Sequence, residues 1–258
     1  MKVSIITLTY NSEKHISECL RSIKSQNYKN IEHIIIDGLS SDSTIDIINQ
    51  NSIENSVVIS EKDEGIYDAW SKGFQKATGD IVGTVMSDDI LENEDVISTI
   101  VKSFDDKKCD ILYANMNFKL NNKIVRKWKP GNFSKKSFYF GWMPPPPTVY
   151  VSKEILDSNA YFDKKYRIAG DYEWLLRLFF IKNYNIFYLD QFIYTLRMGG
   201  ISNSSFSNII KGNIECYNAW KDNNLSKYPI WVFLKPISRI FQIIRIKEFF
   251  KFYFFSVL

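Results

Sequence analysis

Residues 79–89 read Gly79-Asp-Ile-Val-Gly-Thr-Val-Met-Ser-Asp-Asp89, an apolar run too short for an ordinary helix that stops on two adjacent carboxylates. The pattern predicts a buried strand over 81–86 that delivers an acidic pair at its carboxyl end. In open α/β sheets ligands gather in the crevice beyond the carboxyl ends of the strands, so acids there face a ligand and not the core. Taken alone, Ser87, Asp88 and Asp89 read more simply as a turn that caps a helix starting near Asn93. The neighbouring segments change that balance.

Upstream, strands are predicted at 3–9, 32–37 and 57–60. Helices follow at 13–26, with Ile16, Cys19, Leu20 and Ile23 at helical spacing, at 42–50 and at 67–77, and a further helix at 93–105 follows the 81–86 strand. Such alternation with short connections predicts a parallel sheet covered by helices on both faces. After Cys109 the pattern becomes a hairpin, 110–118 and 123–129, around Asn121-Asn122. A loop over 130–147 holds four consecutive prolines that no helix interior accepts. A strand at 148–151 and a helix at 171–181, with Trp174, Leu175 and Leu178 on one face, complete the reading. No internal repeat and no independent second domain is marked.

With 258 residues, 45% of them hydrophobic and 24% charged, the chain can bury one sizeable core. A net charge of +4 without an arginine-rich or aromatic RNA-binding signature gives no expectation of nucleic-acid binding. Cys19, Cys109 and Cys216 are far apart, form no C-x-x-C pair and leave an odd thiol, which fits a reducing compartment. The amino-terminal run reads as a strand and not a signal peptide, and no apolar stretch reaches the about eighteen residues of a membrane span. His15, in a surface helix, and His33, inside a strand, are both expected to be structural, so histidine-zinc sites and Ser-His-Asp hydrolysis are poor candidates.

Each of the first four strands ends on polar or acidic residues: Thr9-Tyr10-Asn11, Asp37, Asp63-Glu64 and Asp88-Asp89. Carboxylates gathered on one rim would repel a nucleoside diphosphate unless a hard divalent cation, Mg²⁺ or Mn²⁺, lay between them. Here the chain resembles the inverting family 2 glycosyltransferases of the GT-A fold. The resemblance rests on Val3-Ser-Ile-Ile-Thr-Leu-Thr-Tyr-Asn11, Ile34-Ile-Ile-Asp-Gly-Leu-Ser-Ser-Asp-Ser-Thr44, Glu61-Lys-Asp-Glu-Gly-Ile-Tyr-Asp-Ala-Trp-Ser-Lys-Gly73, Ser87-Asp-Asp89 and Ala169-Gly-Asp-Tyr-Glu-Trp-Leu-Leu-Arg177. These segments occur in the family's order over roughly the first 200 residues, a joint match far more specific than any single motif.

The resemblance implies a Rossmann-like, mostly parallel sheet flanked by helices, followed by a carboxyl-terminal helical tail. Residues 1–224 would form the catalytic domain, with 1–108 its nucleotide-sugar half and 109–224 its acceptor half. Thr9, Tyr10, Asn11, Asp37, Asp63 and Tyr67 fall in the segments that bind the UDP-sugar, Tyr10 and Asp37 matching the positions that hold uracil and ribose. Lys72 lies in the segment that approaches the diphosphate. Ser87-Asp88-Asp89 stands in the place of the D-x-D motif, with Asp88 nearer the ribose, Asp89 the expected metal ligand and Ser87 a departure from the usual first acid. Asp171 matches the catalytic base. A carboxylate suffices for that role because the acceptor hydroxyl becomes acidic only as its oxygen bonds to the anomeric carbon. Asp at a helix start is also a natural cap, and both roles are compatible. Glu173, two residues on and on a different side of the helix, is the less favoured candidate. One base and one cation imply a single displacement that moves a hexose or N-acetylhexosamine from UDP to a β-linkage.

Trp142-Met143-Pro144-Pro145 and Arg197-Met-Gly-Gly-Ile-Ser202, together with 61–73, resemble bacterial enzymes that build O-antigen lipopolysaccharide, capsule or exopolysaccharide on polyprenyl-diphosphate-linked acceptors. Where those relatives often carry a histidine this chain continues with proline, and Arg197 and Ser202 are candidate substitutes in substrate binding. In the tail, 225–258, many aromatics interleave with Lys235, Arg239, Arg245, Lys247 and Lys251 against the single acid Glu248. Such a stretch suits the surface of an anionic membrane, which implies a cytoplasmic enzyme peripheral to the inner face of the cell membrane. Packing on the domain or on a second copy in a homodimer is the other expectation. Two other functions are weighed against transfer. A non-catalytic nucleotide-sugar-binding scaffold would not need Asp171 besides Asp89, and a nucleotidyltransferase should carry a basic glycine-rich loop where Thr9-Tyr10-Asn11-Ser12 stands.

Overall fold

All seven residues of β1 (Val3–Thr9) are buried, which makes it an interior strand. In the computed structural model, which describes residues 1–54, 56–139, 142–158, 161–198 and 206–227 together with Pro229 and Val232, α1 (Ile16–Lys24) leads from β1 to β2 (Ile31–Asp37) and α2 (Thr44–Asn51) leads on to β3 (Val57–Ser60). Then come α3 (Ile66–Lys76), β4 (Ile81–Thr84), β5 (Ile90–Leu91) and α4 (Val96–Lys107). β1 pairs in parallel with β2 on one side, from Val3 opposite Ile31 to Thr9 opposite Asp37, and with β4 on the other. Alternating side chains point to opposite faces of the sheet. Ile6, Leu8, Ile34 and Ile36 pack on Tyr67, Trp70 and Phe74 of α3. Val3 and Ile5 meet Cys19 and Ile23 of α1 and Ile97 and Ile100 of α4 on the other face, where Ile35 also packs on Ile16, Leu20 and Ile48.

The second half adds β6 (Ile111–Leu120), β7 (Lys123–Trp128), α5 (Lys135–Phe138), β8 (Tyr150–Ser152), α6 (Lys153–Asp157), α7 (Gly170–Leu176), β9 (Ile186–Arg197) and α8 (Phe206–Asp222). The strand order is β3-β2-β1-β4-β8-β6-β9-β5, with β7 paired to β6. The sheet is mostly parallel, as expected, with antiparallel members beyond the predicted hairpin that the sequence did not indicate. β8 runs antiparallel between β4 and β6, and β5 and β7 are antiparallel as well. β9 was not foreseen, because Asp190-Gln191 interrupts its apolar run; it nonetheless pairs in parallel along β6. α8 was not foreseen either. The predicted helix over 171–181 is α-helical only to Leu176 and continues as a π turn over Arg177–Ile181. The proline run contributes one 3₁₀ turn, Pro146–Thr148.

Two antiparallel steps restore direction, so β6 and β9 run the same way as β1 to β4. The carboxyl ends of all six therefore lie on one rim. Most of the tail expected at 225–258 lies outside the described residues, although Val232, 1% exposed, shares a core with Ala219 and Trp220. Among the described residues no helix is long and apolar enough to cross a membrane.

His33 is a core residue, fully buried in β2, its Nε2 2.9 Å from the Thr7 hydroxyl, and burial pushes its pKa down to about 3. Next to it, Glu32 receives Lys2 Nζ at 2.8 Å, the Ser4 hydroxyl at 2.5 Å and the Thr78 amide at 2.9 Å. Burial alone would raise its pKa, but these donors outweigh it and hold the group at about 2. In acid the unfolded chain therefore binds more protons than the folded one, on His33 below about 6.5 and on Glu32 below about 4.5. The denaturation midpoint is expected to fall as pH drops from neutrality through both ranges. Glu32→Gln should cost about 2 kcal/mol at pH 7 and flatten the steeper limb. An acid limb unchanged by the substitution would remove Glu32 from this role.

Candidate active site

At the end of β1 the chain turns sharply, with Asn11 in the left-handed region at φ 47°. Its side-chain oxygen accepts from the Ser41 amide at 2.8 Å, and its own amide donates to the Ser40 hydroxyl at 2.8 Å. This locks the β1 and β2 ends together. Asp37 is fully buried, and its carboxylate accepts from the Ser40 amide at 3.0 Å and the Ser60 hydroxyl at 2.6 Å. Thr9 is also buried, and its hydroxyl has no hydrogen-bond partner among the described residues. Tyr10, by contrast, is 63% exposed. A Cβ at Gly38 would stand 2.8 Å from Asp63 Oδ2 and 3.4 Å from Tyr10 Cδ2, so the bare backbone there lets both side chains close in from opposite strand ends. Asp63 is itself set by the Gly65 amide at 2.8 Å.

The Ser12 and Ser87 hydroxyls, 2.9 Å apart, tie this loop to the acidic pair. The two acids have different environments. Asp89 is 3% exposed, with Oδ2 accepting from Tyr194 at 2.9 Å and Oδ1 from the Arg197 amide at 2.8 Å, so both oxygens are spent on β9. Burial, with the charge of Asp88 second, pushes its pKa up to about 7. Asp88 is partly exposed, and no hydrogen bond reaches its carboxylate among the described residues. Asp89, the expected metal ligand, is thus the more buried of the two acids and has both oxygens in hydrogen bonds, whereas Asp88 faces the rim. Arg197 pairs with Glu18 and donates from Nε to the Asp88 carbonyl at 3.4 Å, which sets it beside the acids. Among the described residues no three His, Cys, Asp or Glu side chains converge as a metal cage.

Asp171 lies in the first turn of α7, half buried beside the Tyr67 phenol of α3, which is 3.4 Å from its Oδ1 and donates to the Ile168 carbonyl at 2.8 Å. The approach depends on Gly170, where a Cβ would lie 2.8 Å from the Tyr67 ring. Glu215 of α8 accepts from the amides of Arg167, Ile168 and Ala169 at 3.0, 2.9 and 2.7 Å and so fixes the entry to α7. Sequence reasoning missed Glu215 because α8 itself went unrecognised. Glu173 is buried and gripped by Arg177 at 2.7 and 3.1 Å and by Asn223 at 3.0 Å, a structural clamp unsuited to proton transfer. Lys72 is also committed, to Glu61 at 2.8 Å, Asp68 at 3.3 Å and the Lys62 carbonyl at 3.0 Å, with Lys164 on Asp68 at 2.5 Å. Its ammonium braces the loop before α3 in place of reaching openly into the cleft. Ser202 lies outside the described residues.

Comparison with known proteins bears on this arrangement. The profile of glycosyl transferase family 2 matches residues 4–206. A glycosyltransferase of Mycobacterium tuberculosis is 28% identical over 179 residues, 68% of each chain. A PGL/p-HBAD biosynthesis glycosyltransferase of Mycobacterium bovis is 26% identical over 180 residues, 68% of this chain and 69% of its own length. The glycosyltransferase GlyG of Streptococcus pneumoniae is 24% identical over 233 residues, 79% of this chain and 74% of its own. Among solved structures, Staphylococcus aureus TarS 1–349 in complex with UDP-GlcNAc superposes with a TM-score of 0.70 at 22% identity, over 86% of this chain and 65% of that one. The mannosyltransferase PcManGT of Pyrobaculum calidifontis, in complex with GDP-Man and Mn²⁺, gives a TM-score of 0.62 at 18% identity, over 92% of this chain and 67% of its own. These likenesses carry the fold, which is GT-A. Matched by the family profile over most of its length, the chain belongs to glycosyl transferase family 2.

Proposed function

We propose that this transferase moves a hexose or N-acetylhexosamine from a UDP-sugar to a polyprenyl-diphosphate-linked sugar, with inversion to a β-linkage, in the assembly of a bacterial surface polysaccharide at the cytoplasmic face of the membrane. The observation that carries the reading is the setting of Asp171: a half-buried carboxylate in the first turn of α7, its Oδ1 accepting from the Tyr172 amide at 2.8 Å and lying 3.4 Å from the Tyr67 phenol, whereas Glu173 is buried and ion-paired to Arg177. The Tyr67 phenol stays protonated, its pKa pushed well up by burial and then by the charge of Asp171, so it acts as a donor. In this reading the acceptor hydroxyl attacks the anomeric carbon opposite the departing UDP, and Asp171 receives its proton as the new bond forms. Tyr10 and Asp63 flank the nucleoside, with Asp37, Thr9 and Asn11 shaping the floor and turn beneath it.

Support for a cation comes from the contrast within the acidic pair, since Asp88 offers an uncommitted hard oxygen donor beside the rim. We assign to Asp88 the role of holding Mn²⁺ or Mg²⁺ when such a cation is bound, and to Asp89 the bracing of the turn through Tyr194 and Arg197. A cation bound there supplies charge neutralisation on the leaving diphosphate. Arg197 adds positive charge on the same side.

Asp171→Asn is expected to lower transfer by about 10²- to 10⁴-fold while UDP affinity, read by calorimetry, stays within about twofold. Gly170→Ala, which pushes the Tyr67 ring off the base, should lower both turnover and the melting temperature, at about 1–3 kcal/mol for the overpacking. Transfer by Asp171→Asn close to wild type would hand the base role to another group. In Mn²⁺ titrations with UDP, Asp88→Ala should abolish metal-dependent binding in a protein that still melts normally. Asp89→Ala should instead lower the melting temperature, through the loss of two buried hydrogen bonds. The reverse pattern would return the metal to Asp89.

A further inference from the structure

The hairpin of β6 and β7 leaves the buried body of β6 and ends in an exposed tip. Its tip turns through Asn121 and Asn122, both in the left-handed region at φ 47° and 62°, the geometry of a tight two-residue hairpin turn. Around the tip Leu120, Ile124 and Val125 are 40%, 44% and 51% exposed. Met198, whose amide donates to the Lys119 carbonyl at 2.7 Å, adds a fourth exposed apolar side chain at 43%. Lys119, Lys123, Arg126 and Lys127 surround them. Residues 111–153 contain eight Lys or Arg and no Asp or Glu, so any anion that meets this charge must come from outside the segment. Of the neighbouring acids, Asp190 is taken by Lys129 at 3.1 Å and Glu92 by Asn117 and Thr195. Lys119 and Lys123 form no ion pair among the described residues. Arg126 lies over Phe118 and Lys127 over Phe192, at 4.7 and 5.3 Å.

We infer that this hairpin tip docks on an anionic lipid bilayer, the aliphatic side chains entering the headgroup region and the basic ones ringing them. Apolar side chains on a rigid turn gain nothing in water but are buried at a membrane interface, while each basic residue near an anionic leaflet adds attraction. A second copy of the same edge would set Lys123 and Lys127 against their own likeness, which disfavours a strand-to-strand dimer. Nucleic acid would meet the charge and leave the four apolar side chains in water. Location fits as well. Lys119 pairs with Arg197 in the β6–β9 register, so the tip stands on the rim that carries Asp88. The benefit to a lipid-linked acceptor rests on the function proposed above, but the membrane contact does not.

The test uses the full chain and needs no sugar, so its failure and failure of the transferase reading are separable. Sedimentation with vesicles of phosphatidylcholine alone or with about one-third phosphatidylglycerol should show binding only to the latter. Lys119→Glu with Lys123→Glu should weaken it at least about 25-fold, at about fivefold for each basic residue lost. All three native cysteines are buried, so an environment-sensitive fluorophore on Ile124→Cys labels the tip selectively. Its emission should shift to the blue, and its quenching by aqueous iodide should fall, on anionic vesicles alone. Melting curves establish that the variants fold. Vesicle binding with the label still in water would overturn the inference and leave attachment to another segment such as 228–258. So would a spectral shift produced by RNA but not by vesicles, or a dimer in sedimentation equilibrium that Lys123→Glu dissolves.

Discussion

The Tyr67 ring rests on the bare Cα of Gly170, and through that contact the two halves of the chain come to share one site. Tyr67 belongs to α3, which packs on β1 and β2, whereas Gly170 opens α7 in the second half. Beneath the contact Phe162 lies among Tyr67, Trp70, Phe74 and Trp174, with ring centroids 4.8 to 5.6 Å apart, so α3 and α7 form one aromatic layer and not two helices that happen to touch. Offset and tilted stacking of this kind adds to the burial of each ring. The consequence is chemical: Asp171 follows Gly170 directly, and its position relative to the strand ends is only as exact as this packing.

A similar economy governs the acidic pair. Adjacent residues on an extended turn point in different directions, so of Asp88 and Asp89 only one can face the cleft while the other faces the sheet. β9 resolves which. Its Tyr194 hydroxyl and Arg197 amide converge on Asp89. Burying a carboxylate is costly unless donors meet it, and here two donors do while the pKa still rises to about 7. Asp88 is left for the rim.

This explains what could and could not be read from the chain. The first half was legible because each strand end carries its signature within a few residues: Asn11 supplies the left-handed turn, Asp37 the brace for Ser40 and Ser60, Asp63 the partner of Gly65. These are local interactions, and local patterns encode them. The unequal burial of Asp88 and Asp89 was not legible, because it is decided by Tyr194 and Arg197 more than a hundred residues away, on a strand whose run Asp190-Gln191 disguises. Glu215 was invisible for the same reason, since its three amide partners lie across a tertiary contact. Lys72 shows the same limit, since the partners of its ammonium, Glu61 and Asp68, are not announced by its place in the 61–73 segment. The antiparallel β8 went unanticipated because three residues of strand carry no sign of direction.

One base beside one displacement has a stereochemical signature that does not require the acceptor to be known. When a UDP-α-hexose is slowly hydrolysed in place of transfer, water takes the acceptor's position and the first free sugar released records the course of the reaction. Proton NMR followed faster than mutarotation should find the β-anomer first, and Asp171→Asn should suppress its formation. Release of the α-anomer first, or hydrolysis undiminished without the Asp171 carboxylate, would contradict a single displacement assisted by Asp171.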